Sequence, residues 1–181
     1  MRRMTAKDVD AVARLHAASW RHAYRDELSE AFLAGPIDTE RSAAWAARTP
    51  DLEGSCAFGL VAEENGQLTG FAYVCVDADA VFGHLLDNLH VHPDHHGVGL
   101  GRSLLAGVAA ELQACGLGGG VYLWVYASNA AAQRFYMKCQ ATRHEQVTRA
   151  TVEGRNTLAY RYAWSSVGAL HDGAARPSRV V

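Results

Sequence analysis

The amino-acid sequence predicts a mixed α/β domain: a central, mostly antiparallel, twisted sheet flanked by helices. The prediction rests on three features of the chain. Up to about residue 48 the apolar positions recur at helical spacing. Asn65-Gly66, a strong two-residue hairpin signal, then separates two runs rich in aromatic and β-branched residues. From Leu85 onward, strand-like and helix-like segments alternate.

In order along the chain, Thr5 and Asp8 form a capping box with Asp in place of the usual Glu, so a helix starts there. Val9, Val12, Ala13 and Leu15 give it an apolar stripe, and it extends to about Tyr24. A second helix covers Leu28 to Leu33 and stops at Gly35-Pro36, and a third covers Thr39 to Arg48. Cys56 to Ala62 and Leu68 to Val76 are the hairpin strands, and Leu85 to Val91 is a third strand ended by His92-Pro93-Asp94. The helix from Gly99 to Cys115 places Leu100, Leu104, Val108 and Leu112 on one face, and Gly116 caps it. Val121 to Tyr126 is a strand, and Ser128-Asn129 offers N-caps for a helix over Ala130 to Lys138. Thr151 to Ala163 holds at least one more strand. Residues 1–164 therefore read as one domain, and residues 165–181, mixed in Gly, Ala, Ser, Pro and charge, as a flexible tail.

With 181 residues, the chain can bury one real core. The net charge of -2 gives no basic excess for nucleic acid and weakly favours a cationic ligand. No apolar stretch approaches the ~18 residues of a membrane helix. The start, Met1-Arg2-Arg3-Met4, is not followed by a signal-peptide core, so a cytoplasmic protein without a membrane partner is expected. The cysteines at 56, 75, 115 and 139 form no CxxC pair and read as buried free thiols. His90, His92, His95 and His96 lack Cys or carboxylate partners at ligand spacing, so no metal is expected.

The informative stretch runs from Leu89 to Leu104, with His96-Gly97-Val98-Gly99-Leu100-Gly101-Arg102-Ser103 at its centre. It reads as a strand, a loop with glycine at every second position, and a helix start. Glycines bring backbone N–H groups close to a ligand, and the helix adds unpaired N–H groups and its positive dipole end. Together these make a diphosphate cradle. The spacing is not G-x-G-x-x-G, and no GK[ST] follows, so an ATP-type P-loop is excluded.

This stretch resembles the acetyl-CoA signature of the GNAT superfamily of N-acetyltransferases: Gln or Arg, two residues, Gly, one residue, then Gly or Ala. The matching positions are His96, Gly99 and Gly101, with His96 standing where the family has Gln or Arg. A second family motif, a strand ending in Asn before a helix carrying Phe-Tyr, matches Leu123 to Asn129 and Phe135-Tyr136. The resemblance spans Met1 to Trp164. It departs again at Gln140-Ala141, where the family often has Gly-Phe. A non-glycine left-handed cap there costs about 1 kcal/mol.

The resemblance implies acetyl-CoA as co-substrate and an amine of a small molecule or peptide as acceptor. It implies main-chain pairing of the pantetheine arm with Leu89 and Val91, whose amide would also polarise the thioester carbonyl. The diphosphate would sit on amides from Gly97, Val98 and Gly99 through Gly101, Arg102 and Ser103, with the His96 imidazole donating to a phosphate. Asn129 is implied to bond the pantetheine arm, and is equally well an N-cap. Tyr136, two helical turns after Asn129, is implied as the general acid for the departing thiolate, with a core tyrosine as the alternative. Period-two parity sets Leu85, Asp87, Leu89 and Val91 on one face and His90 on the other. Asp87 is then the candidate base, in a place where the family carries base residues, and His90 its alternate. Trp20 and Tyr24, with His22 and Phe32, would roof the acceptor site or simply pack the helices. A non-catalytic acyl-CoA sensor and a nucleotide-binding domain remain as rivals, and the antiparallel sheet edges offer a homodimer surface.

Overall fold

A computed structural model describes residues 1–25 and 27–175. Seven strands form one sheet in the order β1-β2-β3-β4-β5-β7-β6. The strands are β1 (Arg2–Arg3), β2 (Ala57–Glu64), β3 (Gln67–Asp79), β4 (Gly83–Val91), β5 (Val121–Tyr126), β6 (Thr142–Ala150) and β7 (Asn156–Trp164). The helices are α1 (Val9–Ala23), α2 (Glu30–Ala34), α3 (Pro36–Arg48), α4 (Leu100–Ala114), α5 (Ala130–Lys138) and α6 (Val167–Ala175). Every neighbouring pair is antiparallel except β4 and β5.

The local signals act as expected at most positions. Asp8 accepts from the Thr5 amide at 2.8 Å, and α1 follows after one 3-10 turn. Pro36 is the first residue of α3, not merely the stop of α2; its missing N–H costs nothing there. Asn65 and Gly66 have φ of 51° and 78°, the pair of left-handed residues that a two-residue hairpin needs. Two apolar layers cover the sheet. On one face Leu104, Leu105, Val108 and Leu112 of α4 are fully buried against Leu86, Leu123 and Val125. On the other, Val12 and Ala13 of α1 and Trp45 of α3 close over Val61 and Phe71. Each fully buried leucine of this kind contributes roughly 1.5–3 kcal/mol.

The structure corrects three expectations here. The residues after Ser165 hold α6, whose Val167, Leu170 and Ala174 share a buried face packed with the α4 layer. The domain therefore continues to residue 175, and residues 176–181 lie outside the described residues. Second, β6 pairs along β7 although its side chains are almost all exposed. Its sequence, TRHEQVTRA, carries no apolar alternation, because an edge strand needs none and charge on it discourages further pairing. Third, Cys139 is buried, but Cys56 and Cys115 are exposed free thiols.

Candidate active site

Strands β4 and β5 make the site by separating. They pair only at His84↔Val121 and Leu85↔Tyr122. Beyond that point Asp87 is the extra residue of a β-bulge, since Tyr73 pairs with Asn88 and Val74 with Leu86. The bulge overturns the period-two expectation. Leu86, Leu89 and Val91 share the α4 face, while Asp87 meets Arg48 of α3 and His90 stacks on His16 of α1. Asp87 therefore does not lie beside Leu89 and Val91. It is on the same side of the sheet as His90.

The gap between the strands is a cleft of about 690 Å³. Its floor includes Leu89 and Val91. The His92 amide donates to Thr69 of β3 at 2.8 Å, and main-chain groups alternate sides along a strand, so those of Leu89 and Val91 point away from β3 into the gap. The Val91 carbonyl is already taken by the His96 ring Nε2–H at 3.0 Å, which leaves the Val91 amide.

At one end of the cleft lies the glycine loop. Gly97 and Gly99 have φ of 82° and 87°, and a Cβ built on either would meet nothing within 4 Å, so the space above their backbone is open. The ladder of α4 begins with the Ser103 amide donating to the Gly99 carbonyl at 3.1 Å. The amides of Leu100, Gly101 and Arg102 precede that first bond and are the orphan donors of the helix start. Three of the expected contacts change as a result. The Ser103 amide is consumed inside the helix, and the residue is not in the cleft wall. The Val98 side chain points to solvent, at 74% exposure, so only its main chain is available. The Arg102 guanidinium reaches away, donating to the carbonyls of Gly173 at 2.9 Å and Lys138 at 3.1 Å. It ties the loop to α5 and α6. A Cβ on Gly173 would lie 2.0 Å from the Cys139 carbonyl, so only glycine admits this docking.

Asn129 and Tyr136 both border the cleft. The Asn129 Oδ1 accepts from the Ala132 amide at 3.0 Å, so the N-cap role is present and only the amide arm is left for a ligand. Tyr136 is buried, with Phe135 at 5.1 Å and Trp164 at 6.2 Å between ring centres. Burial, and then the neighbouring Tyr24 phenol, raises its pKa above that of an ordinary phenol. Asp87 Oδ2 accepts from Arg48 at 2.6 Å and from Asn88 Nδ2 at 2.7 Å. His90 Nδ1 lies 2.8 Å from Ser19 Oγ, and burial, then Arg41, lowers its pKa to about 3. The imidazole is neutral at ordinary pH.

A second cavity, about 230 Å³, adjoins the cleft and shares Tyr24, Leu86, Asp87, His90 and Trp124 with it. Trp20 lines this cavity and not the cleft, its ring 4.0 Å from the Arg41 guanidinium and edge-on to His16 and Tyr24. Its other walls include His16, Arg48, Tyr126 and Arg149, which sequence reading did not find. One signal was there to use: Arg41, Trp45 and Arg48 recur at i, i+4 and i+7 on α3.

The model of the acetyltransferase (GNAT) family matches residues 11–140. The chain belongs to the GNAT acetyltransferase family. The match covers the glycine loop, the strand β4 bulge and the Asn129–Tyr136 helix alike. A curated relative, the L-amino acid N-acyltransferase MnaT of Escherichia coli, is 44% identical over 62 residues, which is 32% of this chain and 34% of that protein. The chain thus matches about a third of that relative's length. Among solved GNAT folds, the PaiA N-acetyltransferase of Thermoplasma acidophilum in complex with coenzyme A superposes with a TM-score of 0.67 at 17% identity, covering 88% of this chain and 95% of that one. YncA of Salmonella typhimurium with acetyl-CoA gives 0.62 at 25% identity, covering 99% and 97%. This GNAT chain shares the mixed α/β fold of these solved relatives. Among the described residues, no helix is long and apolar enough to cross a membrane, and no group of three metal-capable side chains occurs. The loop histidines make local bonds instead, His92 Nδ1 accepting from the Asp94 amide and His95 lying 3.1 Å from Glu64.

Proposed function

We propose that this GNAT protein is an N-acetyltransferase that moves an acetyl group from acetyl-CoA directly to the amine of a small molecule or peptide. The observation that carries the reading is the cleft itself. One cavity is bounded by the orphan amides of the loop, by the unpaired edge of β4, by Tyr136 and by Asp87. The open space over Gly97 and Gly99 fits a diphosphate, and the solved fold relatives that hold coenzyme A or acetyl-CoA support the same ligand.

Acetyl-CoA supplies an acyl group already activated as a thioester. The amides from Gly97 to Arg102 hold its two linked phosphates, with partial positive charge from the α4 start. The His96 ring holds Val91 in place rather than contacting a phosphate, since its Nε2–H is already donated. Leu89 and the Asn129 amide arm align the pantetheine chain, and the Val91 amide polarises the carbonyl oxygen. Asp87 takes the proton of the attacking amine, directly or through water. It is the only carboxylate among the described residues that lines either cavity. As the carbon–sulfur bond breaks, Tyr136 gives its phenolic proton to sulfur. A phenol with a raised pKa stays protonated until that thiolate forms. The products are the acetylated amine and free coenzyme A.

The test measures thiol release from acetyl-CoA with an amine panel, beside direct titration of coenzyme A, NAD and ATP. Amine-dependent release with tight coenzyme A binding is expected. Coenzyme A binding without release for any amine would leave the acyl-CoA sensor, and NAD binding alone would overturn the reading.

A further inference from the structure

Among the described residues, His90 is the imidazole that the two cavities share, and its bonds fix which nitrogen carries the ring proton. Nδ1 lies 2.8 Å from Ser19 Oγ. Ser19 is buried, and its hydroxyl has no other acceptor among the described residues, so the O–H donates and Nδ1 accepts. The ring is neutral, so its single proton is on Nε2. That N–H is bonded to nothing among the described residues. Unlike His16 Nε2 and the Trp20 indole nitrogen, it is not closed off from the cavities around it. His90 therefore faces the gap with a proton to donate, whereas a base needs a lone pair there.

The ring is also held in place. It lies between His16, 4.3 Å away by ring centres, and Phe71, 5.3 Å away, at interplanar angles of 39° and 31°. The Trp45 indole in turn holds His16 by donating to its Nδ1 at 3.0 Å. A donor fixed in advance costs no reorganisation when charge develops in front of it. The Val91 amide is the next group along β4, so both donors hang from the His90 Cα, one through the main chain and one through the side chain.

We propose that His90 is a catalytic residue of the acyl transfer, a neutral donor that joins the Val91 amide in binding the thioester oxygen. This rests on the acetyl-transfer reading above and adds a donor to it. The choice of atom follows from the reaction. The attacking amine spends its one lone pair on the carbonyl carbon, and the departing sulfur is served by Tyr136. The oxygen is the reacting atom with lone pairs to spare, and one amide alone leaves it partly unmet. As the carbon–nitrogen bond forms, the π electrons move onto oxygen, where Nε2–H and the Val91 N–H meet the charge. When the double bond re-forms, the carbon–sulfur bond breaks, sulfur takes the Tyr136 proton, and the proton of the amine goes to Asp87. His90 keeps its own proton throughout.

The experiment reads the carbonyl directly. Acetyl-CoA labelled with carbon-13 at the carbonyl is bound without any amine, and its C=O stretch is followed by isotope-edited infrared spectroscopy. In the unaltered protein the band should fall below its position in water. His90→Leu should reverse part of that shift, and His90→Gln, which keeps an N–H donor, should retain most of it. Ser19→Ala frees the ring proton to move to Nδ1 and should also reverse part of the shift, with nitrogen-15 shifts of the imidazole reporting the tautomer. With an amine that turns over, kcat should fall about 10- to 100-fold in His90→Leu, the worth of one hydrogen bond to a developing charge, and less in His90→Gln. The Kd for coenzyme A should stay within about threefold in both. The same band in the unaltered protein and in His90→Leu would overturn the inference. So would a glutamine variant as impaired as the leucine one, which is the pattern of a base. Should His90→Leu fail to fold, Ser19→Ala and the tautomer still decide, because a proton on Nδ1 in the unaltered protein also overturns it. Acetyl-CoA that does not bind at all would sink the acetyl-transfer reading and this inference with it, whereas binding with an unshifted band sinks this inference alone.

Discussion

On the proposed function, the cofactor and acceptor ends of the site would recognise their ligands by different means. The cofactor end is built from main chain: loop amides, a helix start and the unpaired edge of β4. The acceptor end is built from side chains brought by α1, α3, β4, β5 and β6. Main-chain recognition depends on where glycines fall within one short stretch. Side-chain recognition depends on which distant elements pack together.

Tyr136 lines the cleft, and its replacement should have the largest effect. Tyr136→Phe keeps the ring and removes only the proton donor. Turnover should fall by about 10²-fold or more, while the Kd for coenzyme A changes little. Thiol-release kinetics beside titration of the ligand checks both. A variant that keeps its turnover would move the acid elsewhere and make Tyr136 a core residue of the α5 layer.

The acceptor end should also be the acid-sensitive end. His16 and His90 are folded in neutral form, His16 with its pKa well below the ordinary value and His90 at about 3, both chiefly through burial. An unfolded histidine takes up its proton near pH 6.5. Between that pH and 3 the unfolded chain binds more protons, so stability is complete above about pH 6.5 and is lost as pH falls. Urea unfolding at pH 7 and pH 5 should show a loss of about 1–2 kcal/mol for each histidine. His90→Gln should reduce that loss. An unchanged pH dependence would mean that His90 is hydrated enough to titrate normally.

At the cofactor end, Gly99→Val would force a β-branched residue to a φ of 87°. The cost is about 1–2 kcal/mol, and relieving it re-aims the loop amides. The Kd for coenzyme A should rise about tenfold, with the KM for the amine nearly unchanged. Equal shifts in both would show that the two ends are not independent.

How much of this was legible in the sequence follows the same division. The glycine loop, the hairpin at Asn65-Gly66 and the caps at Asn129 and Gly116 are local features, and each lies where the residues put it. The bulge at Asp87 was not legible, because it is set by the pairing of Tyr73 and Val74 on another strand. One inserted residue moved Asp87 to the opposite face and joined it to His90. Helix α6 was hidden by its small residues, whose value lies in close approach, as at Gly173, more than in apolar area. The arginine-lined cavity was invisible because Arg41, Arg48 and Arg149 meet only once α3 has packed over the sheet and β6 has joined its edge.

The smallest predicted effect separates stability from chemistry. Helix α5, which Asn129 caps and which carries Tyr136, ends with the Ala141 amide donating to the Tyr136 carbonyl at 3.0 Å and the Gln140 amide to the Met137 carbonyl at 2.9 Å. This is a Schellman ending, and it holds Gln140 at a φ of 65°, where the absence of a Cβ would relieve crowding. Gln140→Gly should therefore stabilise the protein by about 0.5–1 kcal/mol, less what the glutamine side chain contributes. The gain is read as a shift in the urea midpoint with no change in slope. The bonds that position Tyr136 are main-chain and survive the change, so kcat and both ligand affinities should stay where they are. If turnover moved with stability, the fixed aim of α5 would be in question, and the strain at Gln140 would have to be counted as part of the site.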